Sequence, residues 1–599
     1  MNTRLPSNQV LTEFSDALNW QEIERQKRIF NQMLKDAAAA GDEDLPLQAM
    51  SEAIGADVKL YYDPSPNGAN VILSETQGHS FVLGSVVSKR YRGEKTFAQS
   101  VVPYNLNPSV NHTNIHETDN PGTRMRALGA EVELGLVHPD GKSPTEAEMQ
   151  NYMRTYQEHA RRLGITPHVD REACQYQIET HIAPSVGYYK TRSALQGILT
   201  ALVTSCEETG LQTAILSSYP TLSDFHLTED PKVQTAVDLM TEVNAHFPEY
   251  VQRLAVAQER YHIGPDALNV VQMFRIHGCH IHLDLAGRSE ALGLLTFYTM
   301  LRSATAAANA AVLKGGPFVN GTCDAELLCT REYLRRTTIT GRYLEIPISP
   351  HLMPGALDKY AGLLLSERAN STGRAMLCEE SIGEPISAMH NGIGRVRSDL
   401  QTSRRICTVE STGMPANLSA SRMAAVLTDF EFSHAVMEQY FRKHGCDLEP
   451  MYNDRAMWSV LGPLDGETFA RLHDLSDRQC TDMVLTTAAG EEMSLADFYE
   501  KKRRFMHRAL DDVTEITPRD IDDVYTSLTR MLEPPSGHQA QTIEQFVYDA
   551  KLKSTGNWGR ILRNAFEDEG GVPGTYNPDA VLKVVNRINA AMRTRFLSN

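Results

Sequence analysis

Cysteine is scarce and shows no pairing pattern: nine Cys are scattered over 599 residues, an odd count with no C-x-x-C pair, which argues against a disulfide-stapled secreted module and fits reduced thiols. Long apolar runs are missing as well. Nothing approaches the roughly 18 uninterrupted apolar residues of a membrane helix. The most apolar candidate, ALGLLTFYTMLRSATAAANAAVLKG from Ala291, carries Arg302 and many small or hydroxyl residues, so it reads as a core helix. The opening segment MNTRLPSNQVLTEFSDALNW has no apolar stretch of signal-peptide length. A cytoplasmic location and no membrane association are therefore expected. Basic excess is absent too: 58 Lys and Arg stand against 75 Asp and Glu, for a net charge of −17. Such a surface repels phosphate backbones and disfavours extended nucleic-acid binding, although a few converging Arg side chains can still make a pocket for one nucleotide. Several motifs are also lacking: a G-x-x-x-x-G-K-[ST] loop, a G-x-G-x-x-G after a strand, a G-x-S-x-G elbow and an H-E-x-x-H helix. A bound nucleotide would have to be held by side chains and metal. No repeat of fixed period is present, which excludes a solenoid or propeller.

What remains is an ordinary globular mix, 41% hydrophobic and 22% charged, long enough for several folding units. Residues 10 to 40 have helical spacing and stop at Gly41. From Val58 to about Val102, the pieces VKLYY, NVILSE and HSFVLGSVV read as strands between turns. The polar stretch 105 to 123 reads as a linker. A second β/α region opens with RALGAEVELGLV, followed by SPTE at 143 to 146 as a capping box, with a helix running to about Leu163. REACQYQIETHIAPS alternates as one strand, and a helix through Leu195, Ile198, Leu199, Leu202 and Val203 stops near Gly210. Further strands are expected at MFRIHGCHIHLDL, RYLEIPIS and RRICTVEST, and a helix from Ser419 to about Lys443. The expected divisions are 1–122 (a helix plus a β-rich region), 123–443 (a catalytic core) and 444–599 (mainly helical).

Five groups of residues stand out chemically. Glu131 and Glu133 in GAEVELG lie at i and i+2 on a strand, so both project from one face, while Ala130, Val132, Leu134 and Leu136 take the other. Like charges side by side need a cation unless that face is open to water. Glu179 in QYQIETH adds a third strand carboxylate. HGCHIHLDL places His280, His282 and Asp284 on one face; the pattern suits either a half-buried sheet with satisfied histidines or a face that contacts metal or phosphate. A zinc hydrolase would need further His and Asp ligands on later strands, which the remaining histidines do not supply. Finally, Arg331, Arg335, Arg336, Arg395, Arg397, Arg404 and Arg405 form a basic run in an acidic chain, suited to carboxylate or phosphate oxygens. Glu410 in ICTVEST supplies another strand carboxylate, with Glu345 in YLEIPIS as a rival.

The succession GAEVELG, QIETHIAP, AILSSYP after a long helix, GCHIHLDL, CTREYLRR and TVESTGMPANLSAS resembles the carboxylate-amine ligases related to bacterial glutamate-cysteine ligase, over roughly residues 125 to 440. The resemblance implies an α+β fold in which a curved, mainly antiparallel sheet of the glutamine synthetase type is flanked by helices, with a mainly helical C-terminal region. It implies ATP and Mg as cofactors and small-molecule carboxylate and amine substrates, joined in an amide or γ-glutamyl-type bond through an acyl phosphate. By position it assigns metal binding to Glu131, Glu133, Glu179, His280 and Glu410. Cofactor contact falls to His280, His282 and Arg397, and catalytic roles to Arg331, Arg397 and Arg405. The family's Arg two residues after the last Glu is Thr412 here, so Arg404 or Arg405 would have to supply that charge. A hydrolase or phosphotransferase on the same sheet, or a non-catalytic nucleotide-binding or assembly protein, stands as the alternative. Self-association into a homo-oligomer is compatible with any of these readings.

Overall fold

The computed structural model describes residues 25–26, 28–30, 32–33, 47–55, 57–61, 69–76, 79–87, 128–221, 227–229, 248–263, 275–284, 299–337, 376–379, 384–387, 394–398, 407–444, 448–511, 515–532, 541–549 and 556–597, with a few single positions beside them. The architecture is α+β, an antiparallel sheet flanked by helices. Strands β1 (Asp57–Tyr61), β2 (Ala69–Thr76) and β3 (His79–Val87) form a separate antiparallel meander at the expected β-rich pieces.

The main sheet is built on β4 (Leu128–Val137), which pairs on one side with β6 (Gln177–His181) and on the other with β7 (Gln212–Ala214) and β8 (Cys279–Asp284). β5 (Val169–Arg171) closes the edge beyond β6. Two ribbons lie off the sheet: β9 (Phe318–Val319) with β10 (Thr322–Cys323), and β11 (Met376–Glu379) with β12 (Glu384–Ser387). Beyond β8 come β14 (Cys407–Ser411) and then β13 (Gly394–Ser398). Every pairing in the sheet is antiparallel.

Leu128, Ala130, Val132, Leu134 and Leu136 are all buried, as expected of the apolar face of β4. They belong to one hydrophobic cluster that takes in the helices Glu146–Arg162 and Tyr188–Thr209 and continues through the C-terminal helices as far as Phe596. The Tyr188–Thr209 helix packs on both Glu146–Arg162 and Ala420–His444. All ten residues of the Ala304–Leu313 helix are buried, its two polar side chains included: Thr305 Oγ1 donates to the Val460 carbonyl at 2.7 Å and Asn309 Nδ2 to Asp429 Oδ2 at 2.8 Å. Among the described residues no helix is long and apolar enough to cross a membrane.

Two sequence expectations change. The capping box at the first long helix is Thr145 with Glu148, whose carboxylate accepts from both the backbone N–H and the hydroxyl of Thr145 at 2.7 Å. T-x-x-E and S-x-x-E overlap here, and the later pair lies nearer the first buried helical residue, Met149. REACQYQIETHIAPS is two strands joined by a turn: Glu172 N–H donates to the Gln177 carbonyl at 3.1 Å and closes it. The linker at 105–123, the strand at RYLEIPIS with Glu345, and Arg404 and Arg405 lie outside the described residues.

Candidate active site

The register aligns the predicted side chains in rows across the sheet. Glu410 on β14 stands opposite His282 on β8. His280 stands opposite Glu131, and Glu131 opposite His181 on β6. Glu133 stands opposite Glu179. Residues directly opposite on antiparallel strands share a face, so pairing alone brings together groups from positions 131 to 410. Contact follows. His280 Nδ1 lies 3.2 Å from both Glu131 Oε2 and Glu410 Oε1, and its Nε2 lies 3.5 Å from Glu133 Oε1. His282 Nε2 lies 3.1 Å from Glu131 Oε1, and His181 Nε2 lies 2.9 Å from Glu179 Oε1.

Three overlapping sets offer ligand atoms within 4.8 Å of one another: Glu131, His282 and Glu410; Glu131, Glu179 and His181; and Glu133, Glu179 and His280. Glu131, Glu133, Glu179, His280 and Glu410 are all buried, Glu410 completely. Burial withholds the water that would otherwise stabilise several carboxylates packed together, so the cluster has to be neutralised from within. Part of that neutralisation comes from imidazole. Burial pulls His280 down, but the carboxylates of Glu133, Glu131 and Glu410 outweigh it and hold its pKa above the usual histidine value. Part comes from protons: Glu172 is pushed up to about 7 by burial and by the Glu133 carboxylate. The donor set of carboxylates with imidazole at its flanks fits a divalent cation, which prefers oxygen ligands and would replace that proton.

Sequence reasoning missed three residues. His181 lies two positions after Glu179, on the same face of β6, and that spacing could have found it. Glu172 sits in the turn between β5 and β6, where no alternation points to it; its Oε2 accepts from Ala173 N–H at 3.0 Å. His277 opens HGCHIHLDL, three residues before His280 and off its alternation. Its Nδ1 meets the Leu216 carbonyl at 2.9 Å, and burial lowers its pKa to about 4, so it stays neutral beside the cluster.

Two glycines shape the floor. Gly278 N–H donates to Glu133 Oε2 at 2.5 Å, and a Cβ at this position would come within 2.6 Å of His280 Nε2 and 2.8 Å of Arg331 Nη2. Gly135 lies under the Tyr219 ring, where a Cβ would meet a ring carbon at 2.4 Å.

The arginines are placed unequally. Arg331 lies beside the cluster, but its guanidinium donates to the His277 carbonyl at 3.0 Å, to Glu332 Oε1 at 2.5 Å and to the Thr412 carbonyl at 2.8 Å. Arg335 donates to both the carbonyl and the hydroxyl of Thr412, at 3.1 and 2.8 Å. Glu332 is the buried counter-charge. Burial alone would raise its pKa, yet Arg335 and Arg331 bring it down to about 2. Arg331 and Arg335 thus brace β14 and the start of β8. Arg397 is in β13 opposite Thr408, and Arg395 is opposite Glu410.

No family model and no curated relative matches the sequence. Among solved structures, the chain is similar to a bifunctional glutathione synthetase from Pasteurella multocida, at 12% identity and a TM-score of 0.42, covering 79% of this chain and 52% of that one. The match therefore spans about half the length of that enzyme. A glutamate-cysteine ligase from Francisella tularensis in complex with AMP is similar at 10% identity and a TM-score of 0.39, covering 79% and 90%. The complex of the prokaryotic ubiquitin-like protein Pup with its ligase PafA gives 11% and 0.33, covering 76% and 71%. Similarity this distant leaves the functional reading to the residues themselves.

Proposed function

We propose that this chain is an ATP- and Mg-dependent carboxylate-amine ligase that forms an amide or γ-glutamyl-type bond through an acyl phosphate. The observation that carries the reading is the meeting of Glu131, Glu133, Glu179, His280 and Glu410, spread over 280 positions of sequence, on one buried face of an antiparallel sheet. A carboxylate is a poor electrophile, so coupling it to an amine requires phosphoryl transfer, which brings anions together. Mg supplies the positive charge that offsets this repulsion when bound with ATP. The chain's own part is positional. The four carboxylates and His280 hold a cation against the sheet, and Gly278 N–H fixes Glu133. Arg331 and Arg335 anchor the strands from behind, with Arg397 on β13 proposed for phosphate contact.

The test is ADP and phosphate release by the full-length protein with Mg, glutamate and a panel of amino acids and amines. The ligase reading expects release only when carboxylate and amine are both present, and its loss in Glu410→Gln. Release without an amine would indicate a hydrolase or phosphotransferase and refute the ligase assignment.

A further inference from the structure

The rows of the active face do not stop at the buried cluster. β5 is the edge strand of the sheet, and its Asp170 stands directly opposite Glu179, so the Glu133–Glu179 row gains a third carboxylate at the edge. His168, immediately before β5, stacks on His181 with ring centroids 4.1 Å apart and planes 12° from parallel. His168 Nδ1 lies 3.4 Å from Asp170 Oδ2. One ligand atom from each of His168, Asp170 and His181 falls within 4.8 Å of the other two.

Two independent features make this more than a polar surface. Like charges directly opposite on neighbouring strands are destabilising, and the Asp170–Glu179 pair is such an opposition at the margin of a cluster already rich in carboxylate. The donor chemistry also changes towards the edge, from carboxylates with flanking imidazole to two imidazoles with one carboxylate. That combination selects a borderline transition-metal ion over Mg, which prefers oxygen ligands. The side chains of His168 and Asp170 are 42% and 63% exposed, so an ion reaches them without passing through the buried cluster.

We propose that His168, Asp170 and His181 form a second cation position, at the sheet edge, which takes a borderline divalent ion such as zinc. Zinc ligands lie at about 2.0–2.2 Å, which brings ligand atoms to roughly 3.5 Å from one another. His168 Nδ1 and Asp170 Oδ2 already stand at that separation, 3.4 Å, and no pair of the three ligand atoms exceeds 4.8 Å, so closing the site takes at most about 1.3 Å of side-chain movement at the sheet edge. The fourth position is left to water or to a neighbouring carboxylate. His181 also belongs to the set with Glu131 and Glu179, so it stands between the two positions and couples them.

The experiment uses full-length protein stripped of metal and then held in saturating Mg. Zinc is titrated against a chromophoric chelator, with circular dichroism as the check on folding. Wild-type protein is expected to withdraw one zinc ion, and both His168→Ala and Asp170→Asn to weaken that affinity at least about ten-fold, as loss of one of three ligands should. Glu410→Gln, on the far side of the buried cluster, should leave the zinc titration unchanged while abolishing Mg-dependent turnover, so failure here is distinguishable from failure of the ligase reading. X-ray absorption at the zinc edge should show imidazole nitrogen. Unchanged zinc affinity in both edge variants, or zinc lost in Glu410→Gln but kept in His168→Ala, would overturn the assignment.

Discussion

The substitution Glu179→Gln should stabilise the metal-free protein and at the same time remove its response to divalent metal. Glu179 and Glu133 face each other across β6 and β4, with carboxylate oxygens no more than 4.8 Å apart. At an effective dielectric near 20, two full charges at that distance repel by about 3.5 kcal/mol. The Gln amide keeps the contact with His181 Nε2, now 2.9 Å from Glu179 Oε1. The contacts of Glu133 with Gly278 N–H and with His280 already offset some of the repulsion, so the net gain expected is ~1–2 kcal/mol. The assay compares unfolding midpoints at pH 8 in chelator and in excess Mg or Mn at one scan rate. Wild-type protein should gain about 2.7 kcal/mol when metal reaches a hundred times its dissociation constant. The variant should start higher and gain little. A variant less stable than wild type in chelator, with an undiminished metal response, would refute the reasoning, because the acidic row would then be a structural hydrogen-bond ladder.

Other perturbations test the same site from different sides. Because the carboxyl of Glu172 is pushed up to about 7 in the fold, above its ordinary value, its contribution to metal-free stability is complete below about pH 4.5 and is lost as pH rises through 7. Metal favours the ionised form, so divalent affinity should increase between pH 6 and 8 with release of up to about one proton, read by calorimetry in buffers of different ionisation enthalpy; Glu172→Gln should flatten that dependence. Removing the buried counter-charge with Glu332→Ala leaves Arg331 and Arg335 uncompensated and should cost about 3–5 kcal/mol in chemical denaturation, a loss that Glu332→Asp should partly restore. Gly278→Ala puts a methyl group against His280 and Arg331 and should lower divalent affinity in a direct titration while secondary structure by circular dichroism stays unchanged.

Much of the site was legible because strand periodicity carries it. Glu131 with Glu133, and His280 with His282, announce a shared face by their i, i+2 spacing, and antiparallel pairing then joins those faces without further information. The same rule should have admitted His181, two residues after Glu179. Glu172 was beyond the rule: it reaches the cluster from a turn, where position depends on the hydrogen bond that closes the loop at Gln177. Arginine was the least legible type. A long side chain with five donors can end in solvent, on a ligand or on backbone carbonyls, and nothing in CTREYLRRT distinguishes these outcomes. Arg331 proves to be spent on His277, Glu332 and Thr412. The capping box was displaced by two residues because Ser143 and Thr145 both have Glu three positions later, and only burial of Met149 separates them.

The departure at Thr412 takes on a physical meaning in this arrangement. A threonine carries no charge, so the guanidinium groups at this strand end come from another element. Arg335 donates to the Thr412 hydroxyl and carbonyl from the short Arg331–Arg335 helix, and Arg331 shares the same carbonyl. Had residue 412 been arginine, three guanidinium groups would crowd one strand end with Glu332 as the buried carboxylate paired to two of them. Threonine removes that like-charge conflict and offers an acceptor in its place. The substitution is therefore coupled to the helix that faces it. Thr412→Arg alone should destabilise the protein, whereas Thr412→Arg combined with Arg335→Leu should recover much of the loss. A double-mutant cycle on unfolding free energy measures this coupling, and simple additivity of the two changes would remove the argument that Arg335 and Thr412 act as a pair.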